Sequence, residues 1–256
     1  MRSREELRAL AEQYISELAL TPELFGLEEP VRYALAGGGK RIRPILCMAT
    51  GEALGRDPEE LLPAGTALEL VHNFSLVHDD LPALDDDRER RSRPSTWARH
   101  GEDLAILAGD ALLAEAFRLA LSYPTPAVAR ELAQATLGMI GGQYLDITHR
   151  PDDLRELHRL KTGCLFAASI GCALWVAEVS EAEQKPWRAF ADEVGFLFQV
   201  VDDILDGDGL VETEGTDRAR LLADEAATAA QAHLDAIDAD TSVLSEMVAG
   251  LSTRTS

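Results

Sequence analysis

The chain has 256 residues, 46% of them hydrophobic, which suits one large folded core and excludes a disordered polymer. Its formal net charge of -21 sets up an acidic field that repels nucleic acid and anionic membrane surfaces, so neither a nucleic-acid partner nor stable membrane insertion is expected. Cys47, Cys164 and Cys172 form no CxxC pair and lie in apolar stretches, as reduced thiols of a cytoplasmic protein would.

Met1 to Glu6 lacks the apolar run of a signal peptide. Leu10, Tyr14 and Leu18 then share one helical face, and Ala67, Val71, Phe74 and His78 share another. Between them lies Gly37-Gly38-Gly39-Lys40-Arg41-Ile42-Arg43-Pro44, a glycine-rich turn followed by cations. The second helix runs into His78-Asp79-Asp80-Leu81-Pro82-Ala83-Leu84-Asp85-Asp86-Asp87, where Pro82 predicts a kink or a helix end. A basic run, Arg88 to Pro94, follows directly. Pro151, Asp152 and Asp153 read as a helix start. Lys161-Thr162 interrupts an apolar helix, and Leu165 to Val179 is short enough for a buried helix rather than a membrane span. Phe190 to Leu205 is apolar on nearly all sides and belongs at the centre of the molecule. Gly207 to Thr216 reads as a loop, and the alanine-rich tail from Asp217 as helix. Strand patterns are nearly absent, and no flexible linker divides the chain. The expectation is a single all-α domain over 1–256, a bundle of about ten or more helices around a deep central cavity.

Two features need chemistry to explain them. Asp202 and Asp206 are i and i+4 on an apolar helix, where like charges repel unless a cation bridges them. Hard carboxylate oxygens suit Mg²⁺. Asp79 and Asp85 are six apart, so a break near Pro82 is needed to bring Asp85 back beside Asp79. The second feature is cationic. Lys40, Arg41 and Arg43 behind glycines, the Arg88–Arg93 run and Lys161 stand out on an acidic background and suit anion binding. Lys161 in its otherwise apolar helix reads as a buried lysine, which needs an anion partner. Metal cradle, anion pockets and apolar interior together fit a substrate with a diphosphate at one end and a hydrocarbon at the other.

The motifs that carry this reading resemble the polyprenyl synthetase family, and within it the bacterial farnesyl and geranylgeranyl diphosphate synthases. They occur in family order from about Tyr33 to Asp206: Gly38-Gly39-Lys40-Arg41-Ile42-Arg43-Pro44, His72, Asp79 through Asp85, Arg90-Arg91, Leu107-Ala108-Gly109-Asp110, Gly142-Gln143-Tyr144-Leu145-Asp146, Lys161-Thr162 and Gln199 through Asp206. The resemblance implies an isoprenoid synthase fold, a homodimer, and condensation of isopentenyl diphosphate with an allylic diphosphate, with Mg²⁺ as cofactor, three ions with substrate bound. It implies that Asp79, Asp80, Asp85 and Asp202 hold Mg²⁺ on the allylic diphosphate, and that Asp203 and Asp206 complete the second motif through metal-bound water. Arg90 and Lys161 would touch the same diphosphate. Gly39, Lys40, Arg43, His72 and Arg91 would bind isopentenyl diphosphate. Thr162 and Gln199 would face the allylic carbon. Phe74 sits five residues before Asp79, roughly 7 Å deeper along the helix, and would stop the growing chain at fifteen carbons, with twenty as the alternative. A class I terpene cyclase and a non-catalytic partner subunit are the rival readings. One departure stands out: Gly207 to Leu222 contains no lysine where family members usually carry one. Arg218 or Arg220 would either fold back over the metal cradle in its place or pair with Asp217, Asp224 or Glu225.

Overall fold

The computed structural model describes residues 1–148 and 154–253. The predicted helix start at Pro151 lies outside these residues. Helix α1 (Arg4–Ser16) opens on a Ser3 capping box closed by Glu6. It ends before Leu18, which is buried nonetheless. A short 3₁₀ turn (Pro22–Leu27) leads to α2 (Glu28–Leu35), and α3 (Ile42–Ala53) follows the glycine loop. Helix α4 (Pro58–Asp79) starts with an Asp57 capping box and Pro58 in its first turn. Pro63 removes one rung of its hydrogen-bond ladder. The Tyr123 hydroxyl bridges the next rung, donating to the Glu60 carbonyl at 2.7 Å and accepting from the Ala64 amide at 3.1 Å.

After α4 comes a two-residue hairpin, β1 (Glu89–Arg90) with β2 (Arg93–Pro94), in antiparallel register Arg90 to Arg93. Then follow α5 (Thr96–His100), α6 (Glu102–Ala120) and α7 (Ala127–Ile147). Helix α8 (Leu154–His158) passes through a π turn (Arg159–Gly163) into α9 (Cys164–Val176). Helix α10 (Lys185–Asp206) is capped by Gly207 in the left-handed conformation. The predicted loop after it contains a short helix, α11 (Leu210–Glu214), because the Asp203 carboxylate accepts the Leu210 amide at 2.9 Å and starts a new turn. Helices α12 (Thr216–Asp235) and α13 (Ser242–Ser252) complete the chain.

The architecture is all-helical, as expected from the sequence. Helix α9 lies at the centre, against α3, α4, α7 and α10. The stretch Leu154–Val176 is long and apolar enough to cross a membrane by length and composition, yet α9 is a core helix here, with Phe166 and Ile170 fully buried. Helix α10 differs from its expectation. Trp187, Phe190, Ala191, Val194, Leu197 and Val201 face the core, while Asp192 and Leu205 lie at the surface, so the helix has two faces. The three cysteines are free.

Candidate active site

The first aspartate cluster forms at the C-terminal end of α4. The helix stops at Asp79, the chain turns over Pro82, and the Asp85 amide donates to the Asp79 carbonyl at 2.9 Å. Asp85 thus returns beside Asp79, as the Pro82 break requires. Burial, with Asp85 and Asp80 adding like charge against the pull of Lys161, pushes the Asp79 carboxyl up to about 6. Asp80 is buried and accepts from the Arg90 guanidinium. Its carboxyl is still raised, because burial outweighs the arginine.

The hairpin brings Arg90 to that carboxylate. Its turn residues, Arg91 (φ 55°) and Ser92 (φ 60°), are both left-handed, which is the two-residue turn that matches strand twist. Such turns favour Asn and Gly, so strain of about 1–2 kcal/mol per residue is stored here. The geometry swings Arg91 onto the glycine loop, where it donates to the Gly38 carbonyl. Gly39 (φ 140°) holds a backbone conformation that side chains strain to adopt, and a β-carbon there would meet the tip of Arg91 at 2.9 Å and displace it.

Arg91, Gly39, Lys40, Arg43, His72, Thr162 and Asp202 line a cavity of ≈ 590 Å³. Arg43 is its most informative member. Its Nε is buried without a partner, its guanidinium lies 4.9 Å from the centre of the Phe166 ring, and burial lowers it to about 10. Burial and the neighbouring Arg43 and Arg91 hold His72 below its usual range, so the imidazole is neutral at physiological pH. Arg41 behaves differently. It bonds Glu69 at 2.7 Å, Glu12 at 3.1 Å and the Leu35 carbonyl at 2.9 Å, and is a structural strut at the start of α3.

The π turn carries the third group. An extra residue in the helical turn alters the register of the side chains that follow, and Lys161 and Thr162 both reach a second cavity of ≈ 460 Å³. Lys161 is 38% exposed rather than buried, and its partner is Asp146. Sequence reasoning placed the 142–146 motif but gave Asp146 no role; its spacing from Gly142 on one face was the available signal. A β-carbon at Gly142 would stand 2.5 Å from the Lys161 amide nitrogen, so glycine lets α7 approach the π turn. Thr162 donates to Gln199 Oε1 at 2.7 Å, and Gln199 Nε2 donates to Asp203 at 2.8 Å. Buried Asp203 therefore orients Gln199, and His158 Nε2 lies 3.5 Å from its other oxygen. Asp206 is exposed at the end of α10. Phe74 and His78 line the second cavity with Asp79, Met139, Gln143 and Tyr144.

The two cavities share Arg43, His72 and Thr162, so the cationic pocket opens onto an apolar one. The aspartates fit a hard cation in their chemistry: oxygen donors, one with its ionisation opposed by burial and like charge. Among the described residues no three His, Cys, Asp or Glu side chains close around one point. Ions held here would take part of their shell from substrate oxygens and water. Asp79 and Asp85 sit together, whereas Asp80 and Asp203 are engaged with Arg90 and Gln199. Arg218 stands between Glu214 at 3.6 Å and Glu225 at 3.9 Å, and Arg220 is exposed.

The polyprenyl synthetase profile matches residues 26–251. A geranylgeranyl diphosphate synthase of Cyanophora paradoxa is 40% identical over 201 residues, 73% of this chain and 66% of that protein. A farnesyl diphosphate synthase of Micrococcus luteus is 40% identical over 201 residues, 74% of this chain and 69% of that one. The chain thus spans about two thirds of the length of these relatives. The crystal structure of a geranyltransferase from Legionella pneumophila superposes with a TM-score of 0.88 at 31% identity, covering 98% of this chain and 96% of that one.

Proposed function

We propose that this chain, which belongs to the polyprenyl synthetase family, is a short-chain prenyl diphosphate synthase that joins isopentenyl diphosphate to dimethylallyl or geranyl diphosphate. The observation that carries the reading is the buried Nε of Arg43, left without a partner at the junction of a cationic cavity and an apolar one. A guanidinium so placed calls for an anion beside a hydrocarbon. The catalytic unit in this reading is one domain spanning 1–256.

Lys40, Arg43, Arg91 and neutral His72 would hold the diphosphate of isopentenyl diphosphate, with Gly39 keeping Arg91 in reach. Arg90 and Lys161 would hold the allylic diphosphate, each released in part from Asp80 and Asp146. Asp79, Asp80, Asp85, Asp202, Asp203 and Asp206 would hold Mg²⁺, directly or through water. When bound, Mg²⁺ neutralises charge on the departing diphosphate. The Thr162 and Gln199 oxygens turn their dipoles to the allylic carbon as its C–O bond breaks. The apolar walls exclude water, and the double bond of isopentenyl diphosphate attacks. The proton then lost passes to the released diphosphate, so no protein base is assigned.

Phe74, buried on α4, supports a fifteen-carbon product. The similarity to a geranylgeranyl synthase supports twenty as the alternative. A homodimer belongs to the same reading, supported by the exposed apolar side chains Leu104 and Leu107 on α6 and Leu137 on α7, which line neither cavity. The three free cysteines accord with a cytoplasmic location. Incubation of the purified chain with isopentenyl diphosphate, each allylic starter and Mg²⁺, followed by mass analysis, tests the proposal. Extension by five-carbon units supports it; a cyclic hydrocarbon or no product refutes it.

A further inference from the structure

We propose that His78 sets product length together with Phe74, acting as a positioning residue that holds the phenylalanine ring as the floor of the hydrocarbon cavity. The inference rests on the prenyltransferase reading above. It starts from spacing: Phe74 and His78 are i and i+4 on α4, so their side chains meet on one face. Their rings pack edge to face with centroids 4.9 Å apart, and both line the apolar cavity.

The imidazole is itself fixed. His78 Nε2 lies 3.0 Å from the Ile106 carbonyl oxygen on α6. A carbonyl only accepts, so Nε2 carries a proton and donates. The Ile106 oxygen lies within an α-helix, where one lone pair serves the helical ladder and the other is free for a side-chain donor. Access to it comes from Gly109, three residues on, beneath the imidazole. A β-carbon there would overlap the ring at Nε2 and Cδ2. Gly109 was singled out in the sequence within Leu107-Ala108-Gly109-Asp110, a motif that the binding pockets do not use. Its bare backbone seats the histidine.

The result is a three-part stack running from α6 to the cavity: the Ile106 carbonyl and Gly109 hold His78, and His78 holds Phe74. A ring at 74 with nothing against its edge would be free to turn about its first torsion and would be a poor stop. With His78 pinned at its edge, that displacement also requires breaking the hydrogen bond to Ile106. Specificity for length therefore depends on a donor at the Nε2 position as well as on an aromatic at 74.

The test is the ratio of the product one isoprene unit longer than the main product to the main product itself, read by mass analysis for wild type, His78→Ala, His78→Phe, His78→Gln and Gly109→Ala. The ratio is read at matched conversion of the starter and a fixed ratio of the two substrates, so that differences in total turnover do not enter it. His78→Ala is expected to raise it at least tenfold. His78→Phe keeps a ring without the donor and is expected to raise it severalfold. His78→Gln, which keeps an amide donor near the Nε2 position, restores it toward wild type. Gly109→Ala displaces the ring and moves the ratio in the direction of His78→Ala; should that variant fail to fold, the three His78 variants decide alone. A wild-type ratio in His78→Ala overturns the proposal. So does a His78→Phe ratio equal to wild type, which would make the histidine simple packing. A wild-type chain that elongates no starter refutes the prenyltransferase reading itself, which separates the two failures.

Discussion

Arg41 and Arg43 stand two residues apart, and opposite outcomes are expected on replacing each with methionine. Arg41 is satisfied by Glu69, Glu12 and a carbonyl. Removing one member of a buried ion pair strands the other and costs about 3–5 kcal/mol. At about 2–4 °C per kcal/mol for a chain of this size, Arg41→Met should melt roughly 6–20 °C lower. Arg43 has no carboxylate partner at its buried Nε, and burial drives the group to about 10. Holding it charged at neutral pH then costs up to about 3 kcal/mol, set against about 1–2 kcal/mol from its place over Phe166. Arg43→Met should therefore melt at or a few degrees above wild type. Function should move the other way. Losing a charge-assisted contact worth about 1.5–3 kcal/mol raises KM for isopentenyl diphosphate roughly 10- to 150-fold. Differential scanning calorimetry of both variants, with steady-state kinetics of Arg43→Met, reads both effects. If Arg43→Met melts as low as Arg41→Met and keeps a wild-type KM, Arg43 is a structural strut and the anion-pocket argument fails.

Asp79→Ala and Asp202→Ala are expected to fold, by circular dichroism, and to lose turnover by several orders of magnitude; near wild-type rates in either would remove the two-cluster cradle. The Asp79 carboxyl, raised to about 6 by burial and its neighbours, takes up its proton more readily folded than unfolded. Its ionisation thus lowers stability as pH rises from its ordinary value through about 6, by up to about 3 kcal/mol before solvent screening. Asp79→Asn should flatten this part of the melting-temperature profile, and Mg²⁺ with inorganic diphosphate should raise the wild-type melting temperature more at about pH 7.5 than at about pH 5; equal shifts would contradict it. Gly142→Ala places a methyl against the Lys161 backbone, and should cost about 2 kcal/mol or more in urea unfolding while lowering kcat. Arg218 already shares its charge with Glu214 and Glu225, so Arg218→Ala should leave allylic KM within about twofold of wild type; a tenfold rise would show that it closes over the diphosphate.

Part of the candidate site's geometry was legible in the sequence where a residue type runs against its surroundings. Aspartates at i and i+4 on an apolar helix repel one another unless a cation bridges them, and cations behind glycines stand out in an acidic chain, so both are visible in a sequence. The Pro82 break predicted the return of Asp85 to Asp79. What could not be read is register and engagement. A π turn carries no spacing signature, so the reach of Lys161 and Thr162 into one cavity was hidden. The hairpin is built from Arg91 and Ser92, which sequence rules for two-residue turns disfavour. Asp80 and Asp203 look like their neighbours in the motifs, yet long-range contacts commit them to Arg90 and Gln199. In helix α10 apolar residues outnumber charges, so its sequence looks apolar on nearly all sides; only packing shows that Leu205 faces out.

In the proposed function the two joined cavities take a diphosphate and its hydrocarbon together. Its most direct test is product analysis with purified protein, Mg²⁺, labelled isopentenyl diphosphate and geranyl diphosphate. Label is expected in an all-trans fifteen-carbon diphosphate, with both substrates and Mg²⁺ required. Release of inorganic diphosphate from geranyl diphosphate alone, with a cyclic hydrocarbon as product and no uptake of label, would contradict it.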